Sequence, residues 1–359
     1  MKIQTCVVFC VAWVAGRFLP QCAGNVYLRK NLRDMSSVEL DLYFGAVKKL
    51  NSGVRPTRWD MYANMHQQQY PTIHSTPLFL AWHRMMLYAI ERDLRVHEPN
   101  VTIPYWDWTV RSQTPRSDPV LSKALFGGNG HPRSRCVTDG AFKGFSVYYW
   151  HSGLKKSHCL TRRPNIFQRP FTSFNVIDRN YLDLTPIAKF AEAIEGVPHA
   201  TVHNNIGGEF SGHASPGDPL FYSHHAFVDK LWFDWQNRHK PNYNDYHTDS
   251  FQKLVPWNIP IQEVIDPVSS LCYKYPEDRF MYTKNPRIAS LSPQKHSNAS
   301  QSPSHDKDYF LNGPLPILGA IKVADPLPIG FLTNMGFDIT KIREQERKDA
   351  LLLAQIGPN

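Results

Sequence analysis

Apolar positions recur at the helical period along much of this chain, and clear start and stop signals divide the pattern into segments. Ser36 and Glu39 form a capping box ahead of a helix that ends near Gly53. A second, short helix is predicted to carry Trp59, Tyr62 and His66 on one face. Thr76-Pro77, Thr185-Pro186 and Asp218-Pro219 each set a good N-cap before a proline at the first helical position, where the missing N–H leaves nothing unpaired. His199 and His203 fall on a short helix that stops at Gly207-Gly208, and an amphipathic helix is predicted from about Ile339 to Ile356. From Arg111 to about Arg179 the chain is rich in Gly, Pro, Ser and basic residues without a sustained period, so it reads as a long excursion stapled by cysteines and not as a domain. No internal repeat is visible, which argues against solenoids and propellers. The expected fold class is mainly α: a helical bundle with long loops and a few short strands.

The chain ends read differently from its middle. Lys2, an apolar run from Val7 to Ala15 and then small residues have the layout of a secretory signal peptide, residues 1–16, with cleavage as late as Gly24 as the alternative. No other stretch approaches the ~20 uncharged apolar residues of a membrane span, so no membrane anchor is expected and the protein is read as secreted. Ser290 to Asp308 is polar and Ser-rich, a flexible linker between a main domain, 17–289, and a C-terminal extension, 309–359. With 42% hydrophobic and 20% charged residues, the 359-residue chain can bury a large core, which excludes collagen, coiled coil and wholesale disorder. The net charge of +9 comes from scattered residues and not from a basic stripe, so no nucleic-acid partner is expected. Of the six cysteines, Cys6 and Cys10 leave with the signal. Cleavage at the earlier site leaves an even set, for which the expected pairs are Cys136 with Cys159 and Cys22 with Cys272, free buried thiols being the alternative. Asn100 and Asn298 open glycosylation sequons.

The histidines change the picture. His66, His74 and His83 lie within 18 positions, and His199, His203 and His225 lie within 27 positions far downstream. His199 and His203 are four apart and so leave the same helix face. His83 shares a face with Leu87, Ile90 and Leu94, and His225 with Val228, Asp229 and Trp232, so both point into the core. One buried imidazole satisfied by a carbonyl is ordinary; six such imidazoles strain that account, because each needs partners for its nitrogens. Imidazole-only ligation suits copper, zinc, iron or nickel, and three imidazoles per ion leave a coordination position open. Two such triads imply a metal pair, with copper favoured by the absence of thiolate or carboxylate companions.

Three segments carry a resemblance. Phe79-Leu80-Ala81-Trp82-His83-Arg84, Thr102-Ile103-Pro104-Tyr105-Trp106-Asp107-Trp108 and Asp218-Pro219-Leu220-Phe221-Tyr222-Ser223-His224-His225-Ala226-Phe227-Val228-Asp229 resemble the tyrosinase family of type-3 copper proteins, in the family's order. The resemblance runs from about Val26 to Tyr275, including Cys136-Val137-Thr138-Asp139-Gly140 and Tyr273-Lys274-Tyr275, and it is closest in kind to a secreted, invertebrate-like member. It implies a four-helix bundle holding two copper ions, the first at His66, His74 and His83 and the second at His199, His203 and His225. The implied reaction uses O2 as co-substrate to oxidise catechols to o-quinones, or first to hydroxylate monophenols such as tyrosine. The implied partners are phenolic or catecholic small molecules or tyrosine-containing proteins.

By the same resemblance, His224 and Asp229 are expected behind the ligands, His224 because it points about 100° away from His225 around the helix. His213 is left open between an exposed loop residue and a residue of the entrance. Trp106, Trp108, Phe221 and Trp232 are expected in the core. Many tyrosinases carry Asn where this chain has Ala200, and that Asn orients a proton-accepting water together with a nearby Glu. Glu195 and Glu192 are the candidates here, but alanine offers no hydrogen bond, so catechol oxidation is expected over monophenol hydroxylation. Thr72 stands where many relatives carry a cysteine cross-linked to histidine, which weakens the alternative of a hemocyanin-like O2-binding protein. A non-catalytic secreted matrix protein is the remaining alternative. Family members often carry a C-terminal segment over the copper site, so Ser290 to Asp308 is either a cleavage linker or a surface segment.

Overall fold

A computed structural model describes residues 19, 22, 24–149, 156–163, 169–240, 246, 252–277 and 326–356. The expected signal 1–16, the linker 290–308 and the sequon at Asn298 lie outside the described residues. Helix α1, Ser37–Leu50, begins at the expected capping box, with the Ser36 hydroxyl accepting from the Glu39 N–H and the Glu39 carboxylate accepting from the Ser36 N–H. Helix α2, Arg58–Ile73, is longer than the short helix expected. A second capping box, Thr57 with Asp60, starts it, and its buried stripe of Trp59, Tyr62, His66, Tyr70 and Ile73 keeps helical spacing to the end.

Helices α3, Phe79–His97, α5, Ile187–Ile194, and α7, Leu220–Arg238, start one or two residues beyond the prolines that announce them. At α3 the Leu78 N–H donates to Thr76 Oγ1 and the Phe79 N–H to the Thr76 carbonyl, so a closed turn precedes the helix. At α7 the Asp218 carboxylate still accepts from the Leu220 N–H. Between α5 and α7 a π turn, Glu195–His199, runs into α6, Ala200–Ile206. Gly207 ends α6 at φ +62°, and a side chain there would run into the Arg163 carbonyl.

α2, α3, the π turn with α6, and α7 form the four-helix bundle, with α1 against α3 on the outside. Its centre is ring-rich: Trp59, Trp82, Trp106, Trp108, Phe221 and Trp232 are all buried. Charges are buried with it. Asp229 on α7 binds Arg84 Nε of α3 at 2.6 Å and Arg29 Nη1 at 3.3 Å, and accepts from the Tyr273 and Tyr275 hydroxyls at 2.6 and 2.7 Å. Burial alone would raise the Asp229 pKa, but Arg84 and Arg29 hold it below the usual carboxylate range.

Strand β1, Tyr27–Leu28, pairs in parallel with the strand Tyr273–Lys274 (Tyr27 opposite Tyr273), beside a Cys22–Cys272 disulfide. The excursion contains 3-10 turns, the short helix α4, Phe174–Asn180, and a hairpin of β2, Ser146–Tyr149, with β3, Lys156–Cys159. Cys136–Cys159 closes it. Both disulfides are the expected pairs. Two helices lie near the C-terminus: α8, Ile329–Asn334, and α9, Ile339–Ile356, the latter with the bounds the sequence predicts. No described helix is long and apolar enough to cross a membrane.

Candidate dimetal centre

The six predicted histidines meet at the middle of the bundle. His66 comes from α2, His74 from the residue that ends it, His83 from α3, His199 and His203 from the π turn and α6, and His225 from α7. The ligand atoms of His66, His74 and His83 lie within 4.8 Å of one another, and so do those of a second group that contains His199, His203 and His225. The groups face each other, with the His83 and His225 rings stacked at 4.3 Å.

Four of the rings are aimed by backbone carbonyls. The Nδ1–H of His66 donates to the His213 carbonyl at 2.6 Å, that of His83 to Phe79 at 2.8 Å, that of His199 to Glu195 at 3.0 Å and that of His203 to Phe210 at 2.5 Å. A carbonyl on Nδ1 fixes the tautomer and leaves Nε2 with a free lone pair. The Nε2 atoms of His66, His83 and His199 are buried without a partner among the described residues, and those of His203 and His225 approach each other at 3.4 Å. Burial lowers the pKa of His83 to about 3 and of His203 to about 4, and holds the other four well below the usual range, so all six are neutral at pH 7. Neutral imidazoles with orphaned lone pairs are what a pair of ions such as copper requires, and the residues therefore fit one.

His224 sits nearer than its register predicts. It belongs to the second group by distance, stacks on His199 at 5.3 Å, and neither of its buried ring nitrogens has a partner among the described residues. The Asp229 carboxylate bonds Arg29, Arg84, Tyr273 and Tyr275, and ties α7 to α3 through Arg84, the residue after His83. Glu195 is buried, accepts from the Ser75 N–H at 2.8 Å, and burial pushes its pKa up to about 8. Glu192 is on the outside, paired with Lys341 of α9. Ala200 is fully buried in a cluster with Tyr70, Val197, Leu327, Leu332, Met335, Phe337 and Ile342, so the C-terminal helices cover that side of the centre. His213 is half-buried and stacks on Tyr70 at 3.7 Å. Asn100 is exposed in the turn after α3.

The sequence reading missed Tyr70 and Ser75. Tyr70 stacks on His74 at 4.0 Å, and a tyrosine one helical turn before a predicted ligand is the available signal.

Fold and site together define a helical protein with a paired three-histidine centre. The chain matches the family model for the common central domain of tyrosinase over residues 56–238, just over half of its length. A tyrosinase-like protein of Diaporthe leptostromiformis is 32% identical over 250 residues, 61% of this chain and 66% of the relative. The chain therefore spans just under two thirds of that relative. A tyrosinase of Streptomyces antibioticus is 28% identical over 263 residues, covering 64% of this chain and 93% of the relative. Two solved structures share the fold: a polyphenol oxidase from Thermothelomyces thermophila, with 23% identity, a TM-score of 0.55 and coverage of 70% and 89%, and a functional unit of octopus hemocyanin, with 21%, 0.52, and 74% and 72%. The chain belongs to the tyrosinase family, whose cofactor is binuclear copper.

Proposed function

We propose that this chain oxidises o-diphenols to o-quinones with O2, using one copper at His66, His74 and His83 and a second at His199, His203 and His225. The observation that supports this reading is the pair of buried, neutral histidine groups, each with ring nitrogens within 4.8 Å of one another, in which the Nε2 atoms of His66, His83 and His199 have no partner among the described residues. Bound copper supplies the redox couple: two catechols each give up two electrons and two protons, and one O2 takes all four of each to become two waters. The chain itself orients the imidazoles and excludes water from around them.

Hydroxylating a monophenol requires removing its phenolic proton as well. Ala200 has no group to hold a proton-accepting water. With its pKa raised to about 8, Glu195 keeps its own proton at neutral pH. Both features favour catechols over monophenols. The C-terminal helices pack over Ala200, so in this reading they must move aside before a phenol reaches that side of the centre. Phenols or tyrosine-bearing proteins are the substrates in this reading. The signal-like N-terminus, with the two disulfides, supports export.

The test is copper content, O2 uptake and quinone absorbance on the full chain, with a catechol and with the corresponding monophenol, before and after proteolysis of the C-terminal extension. Two coppers per chain and catechol turnover about a hundredfold above monophenol turnover are expected. Equal turnover on both phenols removes the diphenol preference. O2 binding without oxidation of either phenol, before or after proteolysis, favours the hemocyanin-like reading, and a chain that holds no copper overturns the proposal.

A further inference from the structure

Four of the six ligand histidines are aimed by a carbonyl on Nδ1; His74 and His225 are not, because both Nδ1 atoms are buried without a partner among the described residues. His225 has other support. It sits in the middle of the 19-residue α7, between the rings of His83 at 4.3 Å and Phe221 at 4.1 Å. His74 has no such helix around it: it is the residue that ends α2, with extended backbone, and Ser75 after it takes φ +54°. His66, His83 and Phe79 meet its ring edge-on or tilted at 4.9, 5.0 and 5.7 Å, and the close parallel stack is Tyr70, at 4.0 Å and 15°, whose other face stacks on His213 at 3.7 Å and 11°.

This stack is itself pinned from the C-terminal extension. The Tyr70 hydroxyl donates to the Met335 carbonyl at 2.9 Å, and His213 Nε2–H to the Asn334 carbonyl at 3.2 Å. The Ser75 hydroxyl donates to the Gly336 carbonyl at 3.2 Å. Three consecutive residues, 334–336, thus hold three residues that flank the first histidine group.

We propose that Tyr70 is the positioning residue of His74, an aromatic clamp that sets the imidazole of the first metal site in place of a hydrogen bond. This rests on the copper reading above. A ring stack restrains the tilt of the imidazole plane, and its loss falls on the first ion and not on the second, whose ligands keep their own supports.

Copper retention in the full chain tests this with Tyr70→Leu and Tyr70→Phe. Tyr70→Leu is expected to release one of its two coppers to a chelator about tenfold faster than the parent chain, while the second copper is retained. Tyr70→Phe keeps the stack and is expected to hold both. Loss of both ions at one rate from Tyr70→Leu, or parental retention of both, overturns the clamp, as does loss from Tyr70→Phe equal to that from Tyr70→Leu. Side-chain NMR of the metal-free chain reads the stack without copper: the ring-current shift of the His213 imidazole should be lost and that of His74 reduced in Tyr70→Leu, and both should persist in Tyr70→Phe. Unchanged shifts in Tyr70→Leu overturn the proposal, whereas a parent chain that holds no copper sinks the copper reading alone.

Discussion

At the scale of single residues, Ala200 carries two demands that conflict. It follows His199, where in the proposed reading a polar side chain would hold a water for the phenolic proton, and it is fully buried in a cluster with Leu332, Met335 and Phe337. Placing an amide among those groups costs about 1–3 kcal/mol where it finds no partner. Ala200→Asn is therefore expected to lower the melting temperature and to raise the ratio of monophenol to catechol turnover by about tenfold or more. A folded variant with an unchanged ratio removes Ala200 from the account of specificity. The six clustered histidines were legible because histidine spacing and apolar periodicity are side-chain patterns. Their orientation was not, because the atoms that aim His66, His83, His199 and His203 are backbone carbonyls, which any residue type supplies. Glu195 was legible as a candidate, but its tie to the Ser75 N–H arises from a contact 120 residues away.

Among the elements, starts were read better than lengths. Capping boxes are local chemistry, so α1 begins where Ser36 and Glu39 place it. The extent of α2 depends on which partners bury Tyr70 and Ile73, and one of those partners is the C-terminal extension. Helix α9 docks through a buried acid. Asp349 accepts from the Tyr181 hydroxyl at 2.5 Å, from Asn180 at 2.9 Å and from Gln345 at 3.0 Å, with Glu346 the charged neighbour on its own helix. Burial raises its pKa from 3.8 to about 6. Undocked, Asp349 loses its proton near its ordinary pKa; docked, it keeps the proton about two units longer. Docking is therefore strongest in acid and weakens as pH rises between those two values, by up to about 3 kcal/mol. Hydrogen exchange of residues 339–356 should be slower relative to intrinsic rates at pH 4.5 than at pH 7, and Asp349→Asn should remove most of the difference. Equal pH dependence in the variant would sink this assignment.

For the molecule as a whole, the mainly α class and the order of the histidine-bearing helices were legible, because amphipathic stripes and motif order are carried by the sequence itself. The cover formed by α8 and α9 was not. Nothing in residues 326–356 names Tyr70, Val197 and Ala200 as their partners, and the pairing appears only once both surfaces are folded. The two disulfides act at different ranges within this architecture. Cys136–Cys159 spans 23 residues and staples one excursion, whereas Cys22–Cys272 spans 250 and joins the start of the bundle domain to its last strand, beside the parallel pair of Tyr27 with Tyr273. Closing the longer loop removes more freedom from the unfolded chain: the chain-entropy relation gives about 5 kcal/mol for the long loop and about 3 kcal/mol for the short one. Replacing both cysteines of each pair by serine and measuring unfolding in guanidinium should thus show the larger loss for Cys22 with Cys272. Native packing opposes this ranking only if the excursion depends on its staple to stay seated on the bundle. In that case Cys136 with Cys159 gives the larger loss, and the stabilisation comes from folded contacts and not from the unfolded chain.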